Sequence, residues 1–263
     1  MDKAGTSYWD ANWSRAAIPS LFDRADRSLN NYVNIAFAEL FERWVASRPG
    51  AGLSMIEIGC ANSIWPVFFH RRFHARVAGL DYSRPGCEMS RHILAANDVP
   101  GDVYCADMFD PPADIRGQFD LAISFGVVEH FQDTASALRA CSLLLKPGGT
   151  LISVIPNLTG LVGTLQALVD RAVYDVHVPL GREPLAAAHV SAGLVVEDCR
   201  YFLPISLGVI NSGKFSSSRW NMPTRRLLSV ISKAVWTVER AGLRVPPSRW
   251  LSPYVVATAR TPA

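Results

Sequence analysis

The chain has 263 residues, of which 49% are hydrophobic and 19% charged. That length and balance suit one α/β domain with appendages and argue against a disordered or fibrous chain. The five cysteines (Cys60, Cys87, Cys105, Cys141 and Cys199) stand far apart without a CxxC pair, which indicates neither a zinc site nor a disulfide framework. The N-terminus has no basic stretch leading into an apolar run, and no eighteen consecutive apolar residues occur, so the expected location is the cytoplasm.

The net charge of +3 is unevenly spread. From Arg200 onward ten Lys and Arg face one acid, Glu239, giving +9, while residues 1 to 199 carry −6. An anionic partner would explain this, and so would a solvated basic face that offsets the acidic remainder.

In chain order, helical spacing over Leu21 to Val45, broken at Asn30-Asn31, predicts two N-terminal helices. Between residues 54 and 156 short apolar runs alternate with helix-like segments, the pattern of βαβ units around a parallel sheet. The predicted strands are Ser54–Ile58, Arg76–Asp81, Asp102–Ala106, Phe119–Ser124 and Gly149–Ile155. The first intervening helix is expected to begin near Asn62 as N-cap, with Pro66 in its first turn, and the second after Ser83. The third runs from Asp133 to Leu145 and ends at Lys146-Pro147-Gly148-Gly149. Glu183 to Ala192 reads as a helix stopped by Gly193, Leu194 to Phe202 as a sixth strand and Pro253 to Arg260 as the last. Between these two strands, Asn211 to Thr224 reads as a loop. Thr224 to Ala241 reads as an amphipathic helix, its Leu227, Leu228, Ile231, Ala234, Val235 and Val238 face packing on the domain in preference to a membrane surface.

Met55 to Ser63, MIEIGCANS, is a strand ending in an acid and a glycine and leading into a helix. Such a turn aims backbone N–H groups and a helix start at a bound cofactor. Asp81 ends the second strand 24 residues after Glu57, where a carboxylate can accept both hydroxyls of a ribose. Asp107 ends the third, in YCADMF, within reach of an adenine edge, and the fourth runs into FGVVEHF, Phe125 to Phe131. The helix exit and glycine turn of LLLKPGGTLISVIPN, Leu143 to Asn157, follow.

The succession EIGCAN, LDYS, CADMF, FDLAISFGVVEHF and LLKPGGTLISVIPN resembles the class I S-adenosylmethionine-dependent methyltransferases, over roughly residues 50 to 202 and again at the final strand. The resemblance implies a Rossmann-like α/β fold: a seven-stranded, mostly parallel sheet with helices on both faces, N-terminal helices and an insertion before the last strand. It implies one domain over 1–263, with an N-terminal helical cap (1–50), a cofactor-binding core (51–202), an insertion or lid (203–250) and the last strand (251–263). The cofactor it implies is S-adenosylmethionine, leaving S-adenosylhomocysteine as product. Glu57, Gly59 and Ala61 match the motif beside the methionine part, Asp81 the ribose-binding acid and Tyr82 the residue packing on adenine. Asp107 and Met108 match the adenine-edge pair, and Phe125 and Gly126 the strand end beneath the cofactor. The family commonly has more glycine in its first motif, where this chain has Ala61 and Ser63. The VEHF segment resembles small-molecule O-methyltransferases, including those of quinone, natural-product and cell-surface sugar pathways.

Transfer to a hydroxyl requires loss of its proton, and histidine suits that near neutral pH. His130, at the carboxyl edge after the fourth strand, and His177, between the fifth strand and the next helix, are the candidates, with Glu129 and Asp175 placed to orient them. A histidine bonded only to backbone is the other reading for each. No metal site is expected: the i, i+4 pair His70 and His74 is crowded by Arg71, Arg72 and Arg76, with no acid or cysteine to complete it. Tyr8, Trp9 and Trp13 form an aromatic N-terminal arm of the kind that folds over the cofactor in resembling enzymes, or simply packs on the domain.

The expected function is methyl transfer to a hydroxyl of a small-molecule or glycan acceptor, one bearing phosphate or carboxylate if the basic insertion binds it. Acceptor choice falls to the N-terminal helices, residues 157 to 182 and the insertion, with Arg225 and Arg226 contacting an anionic acceptor. A nicotinamide oxidoreductase is the first rival, weakened because the first turn lacks G-x-G-x-x-G; a catalytically silent binding module is the second. Nucleic acid is not expected as a partner, since no D/N-P-P-Y/F segment follows the fourth strand.

Overall fold

A computed structural model describes residues 2–48, 52–210 and 221–263, with the side chains of 221–225 left aside. Its centre is a seven-stranded sheet built from β1 (Ser54–Ile58), β2 (Arg76–Asp81), β3 (Gly101–Cys105), β4 (Phe119–Phe125), β5 (Leu145–Pro156), β6 (Val195–Phe202) and β7 (Tyr254–Arg260). The spatial order is β3-β2-β1-β4-β5-β7-β6, every pair being parallel except those that β7 makes with β5 and β6. The chain winds outward from β1 to β3, then returns to β1's other side with β4. That reversal opens a crevice at the carboxyl ends of β1 and β4.

Alternation along the strands explains the layers. Met55, Leu121, Ile123, Ile152 and Val154 project into one apolar core, and Ile56, Ile58, Ala122, Leu151 and Ile155 into the other. Both faces are covered, so β1 is buried throughout, as parallel strands require. On the first face lie α2 (Tyr32–Ala46), α3 (Trp65–Phe73) and α4 (Arg84–Ala96); on the second lie α5 (Thr134–Ser142) and α8 (Arg182–Ser191). Phe37 and Phe41 of α2 are almost fully buried against this sheet, so the helix belongs to the core.

Local signals fixed two helix starts as expected. Ser83 Oγ accepts from Gly86 N at 3.3 Å, and Asp133 Oδ1 accepts from Ser136 N at 2.9 Å. Other expectations are corrected. The first core helix begins at Trp65, with Ile64 as N-cap and Pro66 in the first turn; Asn62 lies in the turn before it, and Ser63 Oγ takes the Trp65 N–H. The third ends at Ser142, and Lys146-Pro147-Gly148-Gly149 already runs within β5, Lys146 pairing with Asp120 at 2.7 Å.

The predicted helix over Leu21 to Asn30 does not form. Asp23 and Asp26 accept N–H bonds from residues two ahead, and the buried Asn31 amide donates to the Asp23 and Asp26 carbonyls at 2.6 and 2.9 Å. These side chains satisfy the backbone locally and compete with the helix. A short 3-10 turn, Leu29–Asn31, then leads into α2. Three helices were not anticipated: α1 (Thr6–Trp13), α6 (Leu161–Val169) and α7 (Arg171–Asp175).

Of the segment expected as a loop, residues 211–220 lie outside the described residues and 221–224 open α9 (Asn221–Arg240). That helix packs on only part of its expected face. Leu228, Ser232, Val235 and Trp236 turn inward: Ser232 Oγ accepts from Leu207 N, and the Trp236 ring donates to Ile205 O at 2.8 Å and stacks on Tyr32. Leu227, Ile231 and Val238 face solvent instead. Trp236 and Ser232 supply polar anchors that a purely apolar count overlooks. No helix among the described residues is long and apolar enough to cross a membrane.

Asn157 closes the edge where the insertion returns to β7. Fully buried, it donates through Nδ2 to the carbonyls of Arg249 and Ser252 at 2.8 and 2.9 Å, while its own N–H meets Pro253 O. Asn157→Leu strands two carbonyls and is expected to lower the unfolding free energy by about 2–4 kcal/mol in urea titration. A loss under ~1 kcal/mol would show that the segment repacks freely.

Candidate functional site

The crevice between β1 and β4 is lined by the turn after each strand. Gly59 and Gly126 both sit at φ +72, a region that L side chains rarely adopt. A Cβ on Gly59 would also lie 2.4 Å from Val127 Cγ2, so glycine lets the two turns touch. The result is a cavity of about 450 Å³, within the usual range for a small-molecule site.

On the β2 side, Asp81 is buried and joins three segments. Its Oδ2 accepts from Ala61 N at 3.2 Å, its Oδ1 from Ser83 N at 2.8 Å, and Ser83 Oγ donates to Asp10 Oδ1 of α1 at 2.6 Å. Burial raises the Asp81 pKa, against the pull of those backbone donors. Beside it, Glu57 is 1% exposed, and burial pushes its carboxyl up to about 8, with the Ser63 hydroxyl opposing and Asp81 adding to the rise. Its Oε2 has no hydrogen-bond partner.

The aromatic N-terminal arm is now placed. Helix α1 buries none of its residues, yet Trp9 and Trp13 line the cavity, their rings stacked at 5.8 Å. Trp9 meets the His130 ring edge-on at 4.9 Å, while the α4 end is held through Asp10. The arm therefore spans the cavity from α4 to the turn after β4.

On the β4 side the 3-10 turn Val128–His130 brings Glu129 and His130 against His177. The two imidazoles lie 4.3 Å apart between centroids. His130 Nδ1 pairs with Val176 O at 2.9 Å and His177 Nδ1 with Val173 O at 2.6 Å. Burial holds the His130 pKa down at about 4, helped by His177, and burial lowers His177 too, so both rings are neutral. Glu129 is 1% exposed, its carboxyl raised by burial to about 8, and neither oxygen has a partner. Asp175 does not orient His177: it is exposed and paired with Arg171 at 2.8 Å. Backbone carbonyls do the orienting.

Of the residues singled out in the sequence, Glu57, Gly59, Asp81, Tyr82, Met108, Phe125, Gly126 and His130 line the one cavity. Ala61 serves it through its N–H to Asp81. Asp107 lies just past the end of β3 and is exposed, its Oδ1 accepting from Phe109 N, while Ala106 and Met108 take the lining positions. The N-terminal segment contributes Asp2, Pro19, Ser20, Val33, Asn34 and Phe37, none of which sequence motifs pointed to. Asp2 pairs across a backbone bridge with Phe131 and accepts from the Tyr82 hydroxyl. No described residue of 157–182 or 203–250 lines the cavity, and no Lys or Arg among the described residues does.

Residues 56–153 match the family model of a methyltransferase domain. A ubiquinone biosynthesis O-methyltransferase of Methylobacterium sp. (strain 4-46) is 30% identical over 182 residues, 65% of this chain and 70% of that protein. The chain belongs to the class I S-adenosylmethionine-dependent methyltransferases. Among solved structures, a putative sarcosine dimethylglycine methyltransferase from Galdieria sulphuraria has the same fold, with a TM-score of 0.63 at 14% identity, covering 100% of this chain and 99% of that one. A geranyl diphosphate C-methyltransferase from Streptomyces coelicolor A3(2), solved with Mg2+, geranyl diphosphate and S-adenosyl-L-homocysteine, has a TM-score of 0.56 at 17% identity over 95% of this chain and 96% of that one.

The methyltransferase's own residues fit its cofactor, S-adenosylmethionine. An unpartnered buried carboxylate oxygen calls for a donor such as an ammonium, Asp81 is an acceptor at the lip of β2, and the walls are mostly apolar.

The Glu57 carboxyl titrates at about 8 in the folded chain against an ordinary value of 4.5, so the folded state holds that proton more tightly. Its contribution to stability is complete below pH 4.5 and is lost as pH rises toward 8. Unfolding free energies of the ligand-free protein and of Glu57→Gln are expected to diverge across that window by up to about 1.4 kcal/mol per pH unit, the wild type falling faster. Parallel curves would refute the assignment.

Proposed function

We propose that this methyltransferase moves a methyl group onto a hydroxyl of a small, largely apolar acceptor. The observation that carries the reading is a single cavity shared by Glu57 and Asp81 on the β1–β2 side and by His130, beneath Trp9, on the β4 side. Oxygen as the accepting atom is supported by the relative of ubiquinone biosynthesis, whose name is that of an O-methyltransferase.

The bound cofactor supplies a methyl group activated on a sulfonium sulfur. Glu57 Oε2 is suited to its ammonium, and Asp81, a buried carboxylate that lines the cavity, to its ribose hydroxyls. Gly59 and Ala61 let the β1 turn approach the methionine part, Tyr82, Met108 and Ala106 flank the adenine, and Phe125 with Gly126 forms the floor. Asp107, matched by motif to the adenine edge, would act there through the adjoining backbone. Trp9, Trp13, Trp65 and Phe131 exclude water from the transfer, which depends on holding donor and acceptor in line. Glu129, His130 and His177 activate the acceptor's hydroxyl; both rings are neutral, with Nδ1 occupied and Nε2 left as an acceptor.

Acceptor choice is assigned to the N-terminal segment, 2–48, which lines the cavity, rather than to the described part of the 203–250 insertion, where Ser232 and Trp236 of α9 turn to Tyr32 and to Leu207 and Ile205 of the same insertion. An anionic glycan remains the second reading, supported by the basic C-terminal region alone. The absence of Lys and Arg from the described lining favours the apolar acceptor.

Calorimetry with S-adenosylhomocysteine is expected to give one site, weakened about tenfold or more in Asp81→Asn, a loss of roughly 1.4 kcal/mol. His130→Gln should retain that affinity while labelled methyl transfer to phenolic acceptors from fractionated extract drops by roughly 10²–10⁴. Transfer confined to phosphorylated or carboxylated sugars would favour the second reading. Undiminished turnover in His130→Gln would remove the activation role.

A further inference from the structure

We propose that Glu129, His130 and His177 form a binding site for one divalent metal ion of the Mn2+, Fe2+, Co2+ or Zn2+ class at the β4 side of the cavity. One ligating atom from each of the three lies within 4.8 Å of the others. The site is built from two distant segments fastened together twice: Val178 N donates to Glu129 O at 2.6 Å, and the His130 ring bonds Val176 O at 2.9 Å.

Three features single this cluster out from an accidental meeting of polar groups. The Glu129 carboxylate is almost wholly buried and both its oxygens lack a partner, a state that folded proteins avoid unless a cation, proton or water completes it. Both histidines give Nδ1 to a backbone carbonyl, which fixes the tautomer with a hydrogen there and turns the Nε2 lone pair outward, the usual preparation of a histidine ligand. The carboxylate adjoins the cavity wall: Gly126 lines the cavity, and a Cβ there would lie 3.8 Å from Glu129 Oε1, in ordinary van der Waals contact.

Two imidazoles and one carboxylate favour borderline transition ions over Ca2+, which takes oxygen ligands throughout. Three protein ligands leave coordination positions open, and His130 lines the cavity, so an acceptor oxygen can take one. The Lys3 ammonium, close by, donates to the His177 backbone carbonyl and not to a ring nitrogen. Placed there, the ion makes the acceptor hydroxyl more acidic. The hydroxyl proton passes to water, the O–C bond forms, and the S–C bond breaks with its electron pair left on sulfur. This role rests on the hydroxyl-transfer reading above; the ion site does not.

The test is titration of the EDTA-treated full chain with Mn2+, followed by loss of the free-ion EPR signal, with Zn2+ as competitor. One equivalent is expected to bind, and Glu129→Gln and His177→Gln each to weaken it by about tenfold or more while S-adenosylhomocysteine affinity, which also reports folding, stays at the wild-type value. Should Glu129→Gln fail to fold, His177→Gln at its half-buried position carries the comparison. No stoichiometric binding by the wild type, or equal binding by both variants, overturns the site. Intact ion binding with methyl transfer insensitive to EDTA upholds the site and overturns its role in activating the acceptor.

Discussion

The Asp81 carboxylate is the tie on which the rest of the site depends. It is buried where β2 ends, and the donors that compensate it come from two other elements, the turn after β1 and the start of α4. Through Ser83 it also reaches α1, so one side chain sets the distance between the sheet, the first-motif turn and the aromatic arm. Burying a carboxylate is unfavourable unless such donors surround it, and here the donors are backbone groups that the fold must bring together in any case. The same carboxylate lines the cavity, so on the proposed reading structure and cofactor recognition share one side chain.

Glu57 and Glu129 present the opposite case. Each is almost completely buried with at least one oxygen unserved. A sequence selected for stability alone would place a hydrophobe at both positions. Acids kept there, flanking the cavity, mark sites where stability is given up for function. The rest of the sheet offsets that loss by being buried on both faces, through the Phe37, Phe41 and Trp65 cluster on one side and Leu138 and Leu144 on the other.

Strands β1, β2 and β4 were legible because each is a short, largely apolar run ended by an acid or glycine, a signal carried within a few residues. The helix starts at Ser83 and Asp133 were legible for the same reason, a side chain capping its own neighbours. What was not legible depends on partners far along the chain. The region 21–30 keeps helical spacing, but Asn31 draws the Asp23 and Asp26 carbonyls into bonds that no periodicity reveals. The inner face of α9 is chosen by Tyr32 and Ile205, and the meeting of His177 with Glu129 requires closure of a segment of more than forty residues. The two histidines were visible as separate candidates; their common environment was not.

The division of labour within the cavity follows from how each wall is held. Residues of the β1, β2 and β4 ends are fixed by sheet register and by the close approach of Gly59 to Val127, so they can change little without disturbing the core. Helix α1 buries none of its residues and is held by a few side-chain contacts and by the short bridge from Asp2 to Phe131. Substitution there alters the wall without unpacking the domain. Recognition of a cofactor shared across the family falls naturally to the first kind of wall and recognition of an individual acceptor to the second. The arm also touches His130 through Trp9 and Lys3, so on the proposed reading the segment that shapes acceptor binding also encloses a residue that activates the acceptor.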